Sequence, residues 1–313
     1  MTAPRIVFFG SGAFAIPCFE ALLDAGHSVA ALVTQPDREK GRGRALAAPP
    51  LKPVAEARGV PVLQPRRIKD PAAQEAVRAF EPELSVVVAY GQILPRSVLD
   101  LAPLGTVNVH ASLLPRYRGA APIQWALVNG ETETGVTTML LDEGLDTGPV
   151  LLRRATSIGP EETASELEPR LARLGAELLL ETVAGLRDGS LRPTPQDHAA
   201  ATLAPILRKQ DGRLSWWQPA QALARRVRGL NPWPGTMAEW DGRPLKILRA
   251  APLEAATSVE PGTVLALDRD GVSVACGMGT VLCVVEVQPE SRKPMSARAW
   301  AAGARLAPGA RLG

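Results

Sequence analysis

Three cysteines in 313 residues, Cys18, Cys276 and Cys283, lie far apart and include no C-x-x-C pair. That spacing excludes a disulfide framework and a cysteine zinc site, and it fits a reducing compartment. Long apolar runs are also missing. None approaches the ~20 residues needed to cross a bilayer, and the strand-like segment at residues 5–9 is too short for the core of a signal peptide. Histidine occurs only as His27, His110 and His198. A surplus of one charge is absent too: the net charge is +3 and the pI about 8.9. That balance permits a nucleic-acid partner but requires any basic footprint to be local. The expectation is a cytoplasmic monomer with no membrane contact and no metal.

What is present is apolar material for burial, 46% of residues against 21% charged, in a chain long enough for two domains. The first two-thirds alternates strand-like runs at 5–9, 29–34, 84–89 and 106–110 with helical segments, the first at 16–25. Wholly apolar strands alternating with helices predict a mostly parallel, Rossmann-like α/β sheet covered on both faces. Strands at 134–141 and 150–153 and an amphipathic helix at 163–186 complete it. Composition then shifts to glycine, proline and alanine, a linker pattern. Beyond a helix at 219–230, Asp241-Gly242 and Asp270-Gly271 are hairpin signals between short strands, among them 272–276 and 281–287. The expected division is 1–189 as a catalytic domain, 190–207 as linker and 208–313 as a small C-terminal β-barrel of OB type.

Gly10-Ser-Gly12-Ala-Phe-Ala15 matches G-x-G-x-x-A directly after the first strand, and Asp37 lies near where a ribose-binding acid would fall. This is the dinucleotide fingerprint in its proper context, and alone it suggests an oxidoreductase. Against it, Pro36 places Asp37 in a turn, and the basic loop that follows has no use in a nicotinamide fold. A tight turn that lets the first helix pack on the sheet is the simpler reading.

Asn108 and His110 stand two apart on the last apolar strand, so both side chains leave one face. An amide and an imidazole aimed at one point suit an oxyanion and a proton transfer. His27 follows a helix-ending glycine and suits carbonyl capping, and His198 falls in the linker, where solvation is expected. The loop Leu141-Asp-Glu-Gly-Leu-Asp-Thr-Gly148 offers a third element, and spacing leaves Asp142 and Asp146 equal candidates. Ser112 is the nearest hydroxyl to His110, but no Gly-x-Ser-x-Gly elbow surrounds it.

The stretch 106–125, TVNVHASLLPRYRGAAPIQW, resembles the catalytic core of the formyltetrahydrofolate-dependent formyltransferases. The resemblance runs from residue 5 to about 295. It implies acyl transfer from 10-formyltetrahydrofolate to an amine, with no covalent enzyme intermediate. Gly-Leu-Asp-Thr-Gly matches the family's catalytic loop, so the resemblance assigns catalysis to Asn108, His110 and Asp146, with Asp146 orienting the imidazole and favouring its charged form. It places the pterin at Ala89, Tyr90, Gly91, Gln92 and Ile93, where a missing side chain at Gly91 allows close approach, and cofactor contact at Ser112, Leu113, Leu114 and Pro115.

The acceptor amine expected is that of methionine on initiator methionyl-tRNA, for translation initiation. A small amine, such as a sugar nucleotide or glycinamide ribonucleotide, is the alternative. The tRNA is favoured by the basic, glycine-rich loop at 36–44, with Arg38, Lys40, Arg42 and Arg44. Arg225, Arg226 and Arg228 on the helix leading into the barrel, with Arg208 and Lys209 before it, make a second basic group. Asn231-Pro-Trp-Pro-Gly235 resembles the family's marker for that domain. Trp216, Trp217 and Trp233 could stack on bases, although tryptophans beside a barrel usually belong to its core.

Overall fold

The computed structural model describes residues 4–40 and 45–313, with backbone alone at Lys40 and Ala45. The chain forms two compact units, each drawn from separate stretches. The first comprises Met1–Gly119, Glu133–Ser157 and Glu168–Ala204; the second comprises Ala120–Thr132, Ile158–Leu167 and Pro205–Gly313.

In the first unit, β1 (Arg5–Gly10) buries Ile6, Val7, Phe8 and Phe9 completely, as a strand covered on both faces must. α1 (Ile16–Asp24) carries Pro17 in its first turn, where the missing N–H costs no helical bond. It ends at Gly26, in the left-handed region at φ +77°. There the His27 main-chain N–H donates to the Leu22 carbonyl at 2.9 Å. The cap at this end is therefore the His27 backbone, not its ring, whose buried Nδ1 has no partner among the described residues. Burial, and secondarily Arg187, lowers the pKa of that imidazole.

β2 (Ser28–Val33) follows. Where a plain loop was expected, β3 (Arg38–Lys40) and β4 (Ala45–Ala47) pair as an antiparallel hairpin. Residues 41–44, with Arg42 and Arg44, lie outside the described residues. The chain continues through α2 (Leu51–Ala57), β5 (Val62–Leu63), α3 (Pro71–Arg78), β6 (Leu84–Val88), α4 (Arg96–Leu99) and β7 (Thr106–His110). It then enters the second unit to form α5 (Pro122–Asn129), and returns as β8 (Glu133–Leu140) and β9 (Val150–Ser157) before α6 (Ala164–Asp188). The sheet order is β5-β2-β1-β6-β7-β8-β9. The pairs from β5 to β7 are parallel, and the two pairs involving β8 are antiparallel. The Rossmann-like expectation holds for the parallel part, with an antiparallel extension beyond β7.

The second unit contains α7 (Ala220–Leu230), then β10 (Thr236–Trp240), β11 (Arg243–Ala256), β12 (Val264–Leu267), β13 (Val272–Ala275), β14 (Thr280–Pro289), β15 (Met295–Ser296) and α8 (Ala297–Gly303). Asp241-Gly242 turns β10 into β11 and Asp270-Gly271 lies between β12 and β13, as those dipeptides predicted. The sheet runs β10-β11-β14-β13-β12, with β15 added to β14. Residues 309–313 bridge its two edges. Gly313 exchanges hydrogen bonds of 2.8 and 2.9 Å with Glu239 of β10, and the Leu312 N–H donates to the Gly262 carbonyl at 2.8 Å, just before β12. That segment closes the barrel around Trp216, Trp300, Val272 and Val274. α5 belongs to the same unit, where Ala121, Leu207 and Leu230 form a small cluster with Trp125 against it.

All three cysteines are buried. Burial pushes the Cys18 and Cys276 thiols up to about 12 and raises that of Cys283. Only the thiolate reacts, so a disulfide reagent at about pH 8 is expected to label none of them in the folded protein and all of them in denaturant. Native labelling at the rate of free cysteine would show these cores to be open.

Candidate active site

β7 lies between parallel β6 and antiparallel β8. It ends where the parallel strands end, the edge at which α/β sheets take ligands. Asn108 sits opposite Val87 and Met139, and His110 opposite Thr137. The strand's two-residue repeat puts the amide and the imidazole on one face. They are 9% and 6% exposed. His110 Nε2 lies 2.9 Å from the Tyr117 carbonyl. A carbonyl only accepts, so that nitrogen carries its proton. Nδ1 is left for chemistry, and it faces Asp146 Oδ2 at 3.7 Å. This exceeds hydrogen-bond length but is within ion-pair reach.

The loop between β8 and β9 settles which acid faces the histidine. Asp142 accepts from the Gly144 N–H at 3.0 Å and the Thr147 hydroxyl at 2.6 Å, so it folds the loop and is exposed. Asp146 points inward, and its Oδ2 accepts the Gly119 N–H at 2.7 Å. Gly148 has no room for a side chain: a Cβ there would sit 1.9 Å from the Leu140 carbonyl oxygen. Asn108 makes no side-chain hydrogen bond among the described residues. An almost buried amide without a partner invites a ligand. Ser112, fully buried, donates to the Arg116 carbonyl at 2.6 Å, which occupies its hydroxyl and closes the turn after β7.

The residues expected at the pterin divide into two groups. Tyr90 turns its ring into the core, edge-on to Phe9 at 5.5 Å between centroids, and its hydroxyl is buried without a partner among the described residues. Gln92 uses its side chain to accept the Ile68 N–H at 2.9 Å. Leu114 is buried in a cluster with Met139 and Val150. The Tyr90 carbonyl already accepts from the Gln35 amide at 3.1 Å and the Ser11 hydroxyl at 3.3 Å. Remaining for a ligand are the main chain of Ala89 and Gly91, exposed Ile93, and partly exposed Leu113 and Pro115. Ala89 and Gly91 both have positive φ, +47° and +82°, which turns the backbone at the strand end.

The dinucleotide-like turn is used internally. A Cβ on Gly10 would come within 2.7 Å of the Phe8 ring, so the first glycine serves packing. The Ser11 hydroxyl accepts from Thr34 and from the Gln35 N–H, at 3.1 and 3.0 Å. Asp37, the would-be ribose acid, accepts from Gln64 at 2.6 Å and pairs with Lys52 at 3.0 Å. Those bonds, Gln64 first, hold its carboxyl below the usual range. With both oxygens engaged, it anchors the base of the β3–β4 hairpin rather than a ribose.

The basic residues also divide. Arg38 is exposed, with Nη2 donating to Gln35 Oε1 at 2.9 Å, and Arg208 and Lys209 are exposed. Arg226 donates to the Asp211 carbonyl, while Arg228 donates to those of Glu162 and Gly159 at 3.0 and 3.4 Å. Both are half-buried, and desolvation lowers their pKa. Arg225 is half-buried beside Gly130, where a Cβ would meet its guanidinium. Trp216 is in the barrel core, whereas Trp217 and Trp233 are exposed.

Two residues at this site carried no signal in the sequence. Arg118 and Gln196 are polar yet only 7% and 5% exposed. Gln196 lies in the stretch expected to be linker, and only its burial reveals it. His198, expected to be solvated, is exposed yet places Nδ1 3.1 Å from Arg118 Nη2.

The family model described as formyl transferase matches residues 4–183, and its C-terminal-domain model matches 206–305. A methionyl-tRNA formyltransferase of Solibacter usitatus is 53% identical over 309 residues, covering 99% of this chain and 98% of that protein. Two crystal structures share the fold. HypX of Aquifex aeolicus in complex with tetrahydrofolic acid gives a TM-score of 0.65 at 19% identity, covering 96% of this chain and 47% of that one. An N-formyltransferase of Helicobacter canadensis, in complex with folinic acid and dTDP-3-aminofucose, gives 0.68 at 14% identity, covering 91% and 99%.

Tyr90→Phe separates a core role from a ligand role. Removing an unpartnered buried hydroxyl is expected to leave stability unchanged or raise it by about 1 kcal/mol in chemical denaturation, with folate affinity unaltered. A clear loss of folate affinity would place the hydroxyl at the ligand.

Proposed function

This chain belongs to the formyl transferase family, and we propose that it transfers the formyl group of 10-formyltetrahydrofolate to the free amino group of methionine on initiator methionyl-tRNA, as a cytoplasmic enzyme of translation initiation. The observation that carries the chemistry is the unpartnered Asn108 amide beside an imidazole whose free nitrogen faces a carboxylate. Bound 10-formyltetrahydrofolate supplies an amide-like formyl carbon for attack by the amine.

The residues present fit that task. The turned backbone at Ala89 and Gly91 offers main-chain groups to a flat heterocycle, and Ile93 and Leu113 offer apolar contact. The Asn108 N–H donates to the formyl oxygen as negative charge develops there; one such donor contributes ~3 kcal/mol. The Tyr117 carbonyl keeps His110 Nε2 protonated and confines proton exchange to Nδ1. Nδ1 and Asp146 then form the site that takes the proton lost by the attacking amine, directly or through a water. As the tetrahedral centre collapses, the bond from the formyl carbon to N10 breaks, and that proton passes to N10 as tetrahydrofolate leaves. Ser112 is committed to the Arg116 carbonyl, which supports direct attack rather than an acyl-enzyme.

The acceptor is read from the whole chain. Identity of 53% across both units to a protein named for methionyl-tRNA supports a tRNA substrate. The 14% likeness to a sugar-amine enzyme is one of fold. Exposed Arg38, with Lys40, Arg42 and Arg44 close after it in sequence, supports contact with RNA phosphates.

Incubation with 10-formyltetrahydrofolate and methionyl-tRNA is expected to yield formylmethionine on the tRNA; formylation of a small amine alone would sink the assignment. Asn108→Ala and His110→Ala are each expected to lower turnover by ~10²–10³-fold with folate affinity within a few-fold. Near-normal turnover in folded His110→Ala would remove the proton-transfer role.

Replacing Arg38, Lys40, Arg42 and Arg44 together by alanine is expected to raise KM for methionyl-tRNA by at least ~10-fold and to flatten its salt dependence, since fewer counterions are released. Folate affinity should not move. Unaltered methionyl-tRNA kinetics at two salt concentrations would detach this hairpin from the acceptor.

A further inference from the structure

We propose that Gln196, braced by Arg118, is a positioning residue that fixes the backbone of the Asp146 loop and so aims the carboxylate at His110. The proposal rests on the catalytic reading of Asp146 given above.

Gln196 fills its whole hydrogen-bonding capacity. Nε2 donates to the Asp146 carbonyl at 2.9 Å and the Gly148 carbonyl at 2.7 Å, while Oε1 accepts from Arg118 Nε at 3.2 Å and Nη2 at 2.7 Å. A primary amide has two donor hydrogens and two acceptor sites, and all are in use. A glutamine buried only for packing could satisfy itself on any groups nearby. Here both donors go to carbonyls that bracket the same short loop, one of them Asp146 itself.

That loop needs holding. Asp146 has φ +51°, in the left-handed region that an aspartate tolerates but does not prefer. It sits between glycines, outside the β8–β9 ladder. Tying the Asp146 carbonyl fixes the peptide plane between Asp146 and Thr147, and tying the Gly148 carbonyl fixes the plane between Gly148 and Pro149; together they set the direction in which the Asp146 side chain leaves the backbone.

The other half of the brace comes from three consecutive residues. The Tyr117 carbonyl takes His110 Nε2, the Arg118 guanidinium clamps Gln196, and the Gly119 N–H holds Asp146 Oδ2. Their backbone is secured in turn. The Arg118 N–H donates to the Thr202 carbonyl at 2.8 Å, and the Arg118 carbonyl accepts from Ala204 at 2.7 Å. The stretch from Gln196 to Ala204, read from composition as linker, is thus a strap across the back of the site. It fixes imidazole and carboxylate against each other.

The test compares Gln196→Met and Gln196→Glu, alone and combined with Asp146→Asn. Methionine keeps the bulk and loses every hydrogen bond. Glutamate keeps an oxygen toward Arg118 but turns a second oxygen toward the two carbonyls. Both are expected to lower kcat for formyl transfer by ~10–100-fold, with KM for 10-formyltetrahydrofolate and for methionyl-tRNA within about two-fold. In the Asp146→Asn background either change should cost little more, because a residue acting through Asp146 has nothing left to position. Should the methionine variant not fold, the glutamate variant, which retains the partner of the buried guanidinium, decides alone.

Full kcat in a folded Gln196 variant, or losses that simply multiply with those of Asp146→Asn, would overturn the proposal. So would glutamate restoring full turnover, since Arg118 would then need only a partner. Near-normal turnover in Asp146→Asn itself would fell the catalytic reading first, and this one with it.

Discussion

The hydrogen bond from His110 Nε2 to the Tyr117 carbonyl sets the direction of everything else at the site. A histidine at a strand end can turn about two side-chain bonds, and its two nitrogens compete for partners. Committing one to a main-chain acceptor fixes the ring plane and decides which nitrogen is left to exchange protons. The bond exists because the chain doubles back at once after β7. The Ser112 hydroxyl on the Arg116 carbonyl, and Thr137 between the Ser112 carbonyl and the Leu114 N–H, shape that return. The geometry of the candidate site and the turn are therefore one structural object.

Polar side chains divide between two kinds of work. Some hold loops: Asp142 folds the β8–β9 loop, Asp37 with Lys52 and Gln64 ties the base of the hairpin, and Arg226 and Arg228 donate to carbonyls within their own unit. Others are left with capacity or exposure, among them Asn108, Arg38, Arg208 and Lys209. In a chain of net charge +3, not every arginine in a basic cluster is available to a phosphate. Burial and hydrogen bonding, rather than a count of cations, mark the ones that are.

Much of the fold was legible from composition and period. The apolar runs of β1, β6 and β7 announce a parallel sheet, and the Asp-Gly pairs mark the hairpins of the second unit. The antiparallel turn of β8 was not legible, nor was the assignment of α5 to the second unit, because both depend on what lies beside them in space. The closing of the barrel by residues 309–313 has the same character: nothing in Ala-Arg-Leu-Gly announces a strand, and the hydrogen bonds come from two edges that happen to need partners.

The candidate site shows where that boundary falls. Asn108 and His110 could be paired from sequence because a strand repeats every two residues, a local rule carried wherever the strand goes. Asp146 and Asp142 could not be separated by spacing, since which of two loop acids faces inward depends on main-chain dihedrals set by contacts elsewhere. Gln196 was invisible, and its bonds reach residues 50 and 78 positions away. Local periodicity and turn chemistry are written in the order of residues. A hydrogen bond between a side chain and a distant carbonyl is written nowhere in that order, and it forms only when the folded chain has brought both groups out of water together.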